Sequence, residues 1–230
     1  RSPMKNLSAA ALVVVLAASP LFAEVVVFEE GFGTPTAGTY CEPAFPAGWV
    51  RHDVDGENPD AKVAFVTSAW VTIEDALEAG NCVATSTSWY DPTGMANDWM
   101  VTPLIHVPED ATLSWRVRSH DGTSYPEQYE VRYSTAGTSP ADFESNPALF
   151  TTDFEDTDLW RSRKVDLATK GLSGRAVYLA FRNVSDDKWL LYVDDVRVTV
   201  GDTVLSEEFG GVDGLGLCDP AFPAGWGTHD

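Results

Sequence analysis

Apolar and polar residues alternate along much of the chain. In Leu113-Ser114-Trp115-Arg116-Val117-Arg118 each apolar side chain is followed by a polar one, and Tyr129-Glu130-Val131-Arg132-Tyr133 repeats the pattern. Val177-Tyr178-Leu179-Ala180-Phe181-Arg182 keeps the same two-residue period. Successive side chains of a strand point to opposite faces, so this period marks strands with one buried face. A further apolar run, Trp189-Leu190-Leu191-Tyr192-Val193, enters Asp194-Asp195 and leaves as Val196-Arg197-Val198-Thr199-Val200. Turn residues cluster between the runs, as in Asp121-Gly122-Thr123-Ser124 and in Thr135-Ala136-Gly137-Thr138-Ser139-Pro140. The best helical stretch is short, Ile73 to Ala79. Many half-buried strands punctuated by turns predict an all-β fold, an antiparallel β-sandwich of the jelly-roll kind.

The first residues follow another logic. Met4-Lys5-Asn6 makes a short basic start, Ala9 to Ala18 is almost wholly apolar, Pro20 breaks the run, and Ala23 offers a small residue for cleavage. Residues 1–23 therefore read as a secretory signal peptide, with Arg1-Ser2-Pro3 as upstream or non-native residues ahead of the methionine. An apolar run this short does not span a bilayer as a stable helix, and no later stretch is apolar enough to do so.

Near its end the chain repeats itself. Cys41-Glu42-Pro43-Ala44-Phe45-Pro46-Ala47-Gly48-Trp49 returns as Cys218-Asp219-Pro220-Ala221-Phe222-Pro223-Ala224-Gly225-Trp226, and His52-Asp53 returns in register as His229-Asp230. Upstream, Glu29-Glu30-Gly31-Phe32 is echoed by Glu207-Glu208-Phe209. Self-similarity of this kind means tandem domains. The expectation is one full unit over residues 24–200 and the truncated start of a second repeat over 201–230.

Charge narrows the function. Lys and Arg number 15 against 35 Asp and Glu, a formal net charge of -20. Such a surface repels phosphate backbones and anionic lipid, which argues against nucleic acid and against membrane insertion, whereas clustered carboxylates suit hard cations such as calcium. There is no His-Glu-x-x-His pair, no Gly-x-Ser-x-Gly elbow and no phosphate-cradling glycine loop, and the four histidines are scattered. No catalytic residues are assigned. A hydrolase using paired carboxylates stays open, since spatial separation decides it. Asp53-Val54-Asp55-Gly56 fails as an EF-hand, because position twelve from Asp53 is Ala64, and reads as another kind of calcium loop or as an acidic turn. Trp70, Trp89, Tyr90, Tyr125, Trp160 and Trp189 supply either core or an aromatic platform for sugars or protein partners.

The order of these segments carries a resemblance. Phe28-Glu29-Glu30 is followed by Phe45-Pro46-Ala47-Gly48-Trp49, Asp53-Val54-Asp55-Gly56 and Asn97-Asp98-Trp99-Met100-Val101-Thr102-Pro103. Then come Glu127-Gln128-Tyr129-Glu130-Val131-Arg132-Tyr133, Val177-Tyr178-Leu179-Ala180-Phe181-Arg182-Asn183 and Leu191-Tyr192-Val193-Asp194-Asp195-Val196. Together they resemble the cleaved-adhesin domain, the repeated haemagglutinin and adhesin module of gingipain-type bacterial proteins, and the wider choice-of-anchor-J group of surface domains. The resemblance implies a jelly-roll sandwich, tandem repetition, calcium that braces loops, and binding to host protein or carbohydrate.

Two site predictions accompany it. Gly33 to Glu42 departs from the family as an insertion carrying Cys41, and Cys82 is its expected disulfide mate in an exported chain, which leaves Cys218 for the second repeat. For calcium, the first and last strands of the unit are expected side by side, bringing Glu29 or Glu30 toward Asp194 and Asp195, with Asp53 and Asp55 completing the oxygen shell. Only one of Asp194 and Asp195 can face inward, and Asp194 is favoured. The functional expectation is a secreted or cell-surface, non-catalytic adhesin or binding module braced by calcium. The alternative is an accessory or spacer domain of a larger secreted protease or glycosidase.

Overall fold

The computed structural model describes residues 24–33, 41, 45–155 and 157–201. The expected leader over 1–23 and, apart from residue 201, the expected start of a second repeat over 201–230 lie outside the described residues. Among these residues, twelve strands and one short helix follow one another as β1 (Val25–Glu30), β2 (Val50–Asp53), β3 (Val71–Glu74), β4 (Cys82–Thr87), β5 (Asp98–Val101), β6 (Ile105–His106), β7 (Ala111–Ser119), β8 (Glu127–Ser134), α1 (Pro140–Glu144), β9 (Phe150–Glu155), β10 (Arg161–Asp166), β11 (Ala176–Asn183) and β12 (Leu190–Val200). They form two antiparallel sheets. One runs β10-β7-β12-β4-β3 with β1 also on β12, and the other runs β2-β5-β11-β8-β9 with β6 on β11.

The alternating segments supply the space between the sheets. Leu113, Trp115 and Val117 of β7, Tyr129 and Val131 of β8, Leu179 and Phe181 of β11, and Leu191, Val193, Val196 and Val198 of β12 are all enclosed there. Trp115 packs edge-on against Phe150 and Phe181 at ring separations of 5.3 and 5.7 Å. Its indole N–H is donated to the Tyr129 hydroxyl at 3.1 Å, so the buried ring leaves no polar orphan. The alternate residues also find cover. Val71, Val83, Leu190 and Tyr192 form a second cluster with Val63 and Val66 on the outer face of the β12 sheet. Phe143 of α1 caps Trp99, Val101 and Ala180 on the outer face of the other.

The motif that recurs at the chain's end has a structural reason in its first copy. Pro46 to Trp49 is a turn closed by the Trp49 N–H on the Pro46 carbonyl at 3.2 Å. Gly48 sits at φ +85°, and a Cβ there would lie 3.1 Å from Cγ of Pro103, so only glycine fits without strain. The turn drops Trp49 among Phe28, Phe32 and Phe45, with ring separations of 6.1, 5.5 and 6.0 Å.

Two local expectations are corrected. Ile73 to Ala79 is not helical: Ile73 belongs to β3, where β-branched Val71, Thr72 and Ile73 suit a strand, and the Asp75 carboxylate then draws the Leu77 N–H at 3.1 Å into a turn. The helix lies instead at Pro140–Glu144, led by a proline, with the Asp142 side chain accepting the Ser139 N–H at 3.0 Å.

Cys41 and Cys82 are bonded, with Cα atoms 5.8 Å apart and a separation of 41 in sequence. The bond ties the segment after β1 to the first residue of β4. A closed loop of this length is worth roughly 3–4 kcal/mol in the chain-entropy description. Replacing both cysteines with serine is expected to lower the melting temperature by about 10 °C with no change in far-ultraviolet circular dichroism. Calorimetry of the oxidised wild type beside the double variant checks this.

Candidate functional site

Among the described residues five carboxylates are buried: Asp75, Asp98, Glu127, Glu155 and Asp194. Three have arginine partners. Arg118 reaches Asp75 at 2.8 Å, Arg163 reaches Glu155 at 2.9 Å and Arg116 reaches Asp194 at 2.8 Å. Asp98 and Glu127 are held otherwise: Asp98 lines one of two pockets, and Glu127 holds the backbone of Trp189, which lines the other.

The first pocket is an acidic cleft of about 320 Å³ whose walls include Asp53, Asp55, Glu57, Tyr90 and Asp98. Asp53 ends β2 and lies directly opposite Asp98, the first residue of β5. Like charges in that position repel. Asp55 joins them, and one carboxylate oxygen from each lies within 4.8 Å of the others. The loop is shaped by its own carboxylates: Asp53 accepts the Gly56 N–H at 2.7 Å and Asp55 accepts the Glu57 N–H at 2.9 Å. Asp98 accepts hydroxyl protons from Tyr90 at 3.0 Å and Ser86 at 3.2 Å. Burial, and then the Asp55 and Asp53 charges, push the Asp98 carboxyl up to about 8. All three side chains offer the hard oxygens that calcium takes.

The acids of the opening and closing strands are placed as expected but engaged differently. β1 does pair with β12, setting Glu29 beside Arg197 and Glu30 beside Val196. Asp194 is the inward residue, 1 % exposed, while Asp195 stands at φ +47° where the pairing register shifts. The six predicted ligands, however, do not converge. Among the described residues the group of acids close enough to share a cation is Asp53, Asp55 and Asp98. Arginine supplies the positive charge elsewhere: Arg116 binds both Asp194 and Asp195, and Glu29 pairs with Arg197. Asn81 donates to Asp194 at 2.8 Å, and Glu30 accepts the Phe32 N–H at 2.7 Å. Asp98 is the member of this group that the sequence does not single out; its signal is a charged residue opening a strand whose every residue is buried.

The second pocket, of about 290 Å³, is lined by Trp89, Tyr125, Asp187, Lys188 and Trp189. Thr87 at the end of β4 lies opposite Leu190 at the start of β12, so the two tryptophans just beyond these residues emerge together. Their rings meet edge to face at 5.6 Å, and Tyr125 adds a second such contact on Trp189 at 6.4 Å. His120 lies against the Trp189 ring at 4.1 Å, and Lys62 Nζ stands 4.8 Å over Trp89. Of the other aromatic candidates, Trp70 and Tyr90 are buried, and Trp160 lies beneath Arg116 and Arg118.

Glu127 sits under this pocket, fully buried. Its Oε1 accepts the backbone N–H of Trp189 at 2.9 Å, and its Oε2 has no hydrogen-bond partner among the described residues. Burial pushes its carboxyl up to about 7, opposed by Ser185, the Trp189 N–H and the Lys188 charge; Tyr192 also feels its field. The folded-state value lies above the ordinary 4.5, so the folded chain holds the proton longer than the unfolded one. The contribution is full below about pH 4.5 and is lost as pH rises through about 7, a change of about 3 kcal/mol. Glu127→Gln is expected to flatten the fall in stability between pH 5 and 8, measured by urea unfolding; a wild-type slope retained by the variant would assign it to other groups.

Comparison with known proteins agrees with the fold. The sequence profile of the Cleaved Adhesin Domain matches residues 34–198. Hemagglutinin A of Porphyromonas gingivalis is 29 % identical over 197 residues, covering 75 % of this chain, while the chain spans 7 % of that protein's length. Crystal structures of the K3 and K1 cleaved adhesin domains of Lys-gingipain from Porphyromonas gingivalis W83 superpose with TM-scores of 0.55 and 0.54, at 22 % and 21 % identity. They cover 78 % and 79 % of this chain and all of each domain, which shows a shared fold. The chain belongs to the cleaved adhesin domain family.

Proposed function

We propose that this domain is an extracellular adhesin module, secreted or displayed on a cell surface, that binds a host protein or carbohydrate and does not catalyse. The observation that carries the reading is the aromatic pocket between Trp89, Tyr125 and Trp189, set on a sandwich of an adhesin family. The alternative, an accessory or spacer domain of a larger secreted protease or glycosidase, draws on the small part of the haemagglutinin that the chain spans. The two readings diverge on an array of glycans and host proteins probed with the full chain. Saturable binding to an array member is expected of an adhesin, and a silent array would favour the spacer.

Calcium is the second part of the proposal. Asp53, Asp55 and Asp98 are the residues that would hold it, and its charge would relieve their mutual repulsion and fasten the loop after β2 to β5. Oxygens within 4.8 Å of one another suit one shared cation. Thermal unfolding in calcium and in chelator provides the test. Calcium is expected to raise the melting temperature of the wild type by at least about 5 °C. Asp98→Asn should abolish that gain and, in chelator at neutral pH, melt above the wild type, because the amide is neutral without the proton that the buried carboxyl must take up. An unmoved wild-type melting temperature would overturn the assignment.

A further inference from the structure

This inference rests on the reading of the domain as a binding module and adds to it a site and a ligand class. Three tryptophans, Trp70, Trp99 and Trp115, are wholly enclosed, as large aromatic residues of a sandwich core should be. Trp89 and Trp189 are instead left partly uncovered around a pocket, and Tyr125 beside them is 45 % exposed. An uncovered aromatic cluster forgoes burial free energy unless something else covers it.

The cluster is held firmly. Trp189 is fixed by its N–H on Glu127 at 2.9 Å and by its carbonyl, which accepts the Thr87 hydroxyl at 2.7 Å. The Trp89 N–H is also donated to the Thr87 hydroxyl, at 3.1 Å, and the Trp89 carbonyl accepts the Asp60 N–H at 2.9 Å. One hydroxyl on β4 thus positions both tryptophans. Asp187, on the pocket wall, stands at φ +48°, in the left-handed region that an aspartate tolerates better than most residues. Such rings and such a turn are preorganised, and a ligand would lose little to their ordering.

The polar wall then selects the occupant. Asp187 accepts and Lys188 donates, an arrangement matched to hydroxyl groups, which do both. Two ammonium groups, Lys188 and Lys62 over Trp89, disfavour a cationic side chain or quaternary ammonium in the aromatic cluster. Asp187 and the net charge of -20 disfavour an anion. A volume of about 290 Å³ is at the low end for ligand pockets and suits one ring better than a stretch of peptide.

We infer that the pocket between Trp89, Tyr125, Asp187, Lys188 and Trp189 is a carbohydrate subsite that takes a neutral sugar ring, its apolar face on the aromatic cluster and its hydroxyls on Asp187 and Lys188. The test titrates the full chain with neutral di- and trisaccharides ending in galactose, glucose, mannose or N-acetylglucosamine, followed by calorimetry and tryptophan emission. Sialyllactose and a trimethyllysine peptide serve as the anionic and cationic probes. Tyr125→Ala and Asp187→Asn are the variants, since both positions are exposed and asparagine keeps the left-handed turn.

At least one neutral saccharide is expected to bind and to shift the tryptophan emission. Each variant should weaken that binding at least tenfold with its melting temperature within about 2 °C of the wild type. The inference falls if no neutral saccharide binds, if the trimethyllysine peptide or sialyllactose is preferred, or if both variants bind as the wild type does. Should both variants keep an array ligand of the wild type, the module reading stands and the pocket assignment alone falls. A silent array with no saccharide bound removes both.

Discussion

The pairing of β12 with its neighbours is the constraint on which the remainder of the structure depends. β7 lies along one side of it almost throughout, while the other side is divided: β4 pairs with Leu190 to Val193, and β1 with Val196 to Val200. One neighbour gives way to the other at Asp194 and Asp195, where the register with β7 shifts and Asp195 takes a positive φ. A gap between two neighbouring strands would leave backbone and charge uncompensated, and Arg116 answers it. Its guanidinium reaches Asp194, Asp195 and Glu78 at 2.7 to 2.8 Å, with Asn81 donating to the same Asp194 oxygen. The irregular middle of β12 is thereby tied into both β7 and the loop before β4.

With 15 basic residues against 35 acids, arginine is scarce, and its placement decides which acids can be buried safely. Asp75, Glu155 and Asp194 are buried with arginine, on the β7 and β10 side of the molecule. A buried carboxylate so paired is costly to disrupt, because removing its partner strands a charge. Asp98 and Glu127 hold only neutral donors at hydrogen-bond distance, and both are pushed toward their protonated forms. A structure uses such groups where burial serves something besides stability, and here each adjoins a pocket.

Much of this could be read from the sequence, and what could not has physical reasons. β7, β8 and β11 announced themselves because one face packs in the core and the other is partly wet, the condition that produces alternation. β4 and β5 did not, since covers on both sides bury every residue and erase the period. The disulfide followed from the expectation of an exported chain and from the cysteine count. The apposition of β1 and β12 followed from the closeness of domain ends, and it holds. The acidic cluster was harder: Asp98 meets Asp53 only through the register of β2 on β5, and no spacing along the chain reveals a register. Nor did spacing reveal that Arg116 meets Asp194, 78 residues away.

One short segment links the two pockets. Within Thr87 to Tyr90, the Thr87 hydroxyl fixes both tryptophans, Trp89 lines the aromatic pocket, and Tyr90 donates to Asp98 in the acidic cleft. The Tyr90 hydroxyl is also within hydrogen-bond distance of the Thr87 carbonyl, at 2.8 Å, which closes the segment on itself. Backbone bonds from Asp60 to Trp89 and from Asp91 to Asn58 fasten it to the loop that carries Asp53 and Asp55. Four residues with this many fixed groups move as a unit or not at all. Charge in the cleft and the position of an aromatic wall are therefore borne by one rigid piece of chain, held between β4 and the loop after β2. The repeated turn motif lies at the start of that same strand-loop path, where Gly48 and Trp49 lead into β2. Its constraint reaches past the core it fills: by fixing where β2 begins, it also fixes where Asp53 meets Asp98.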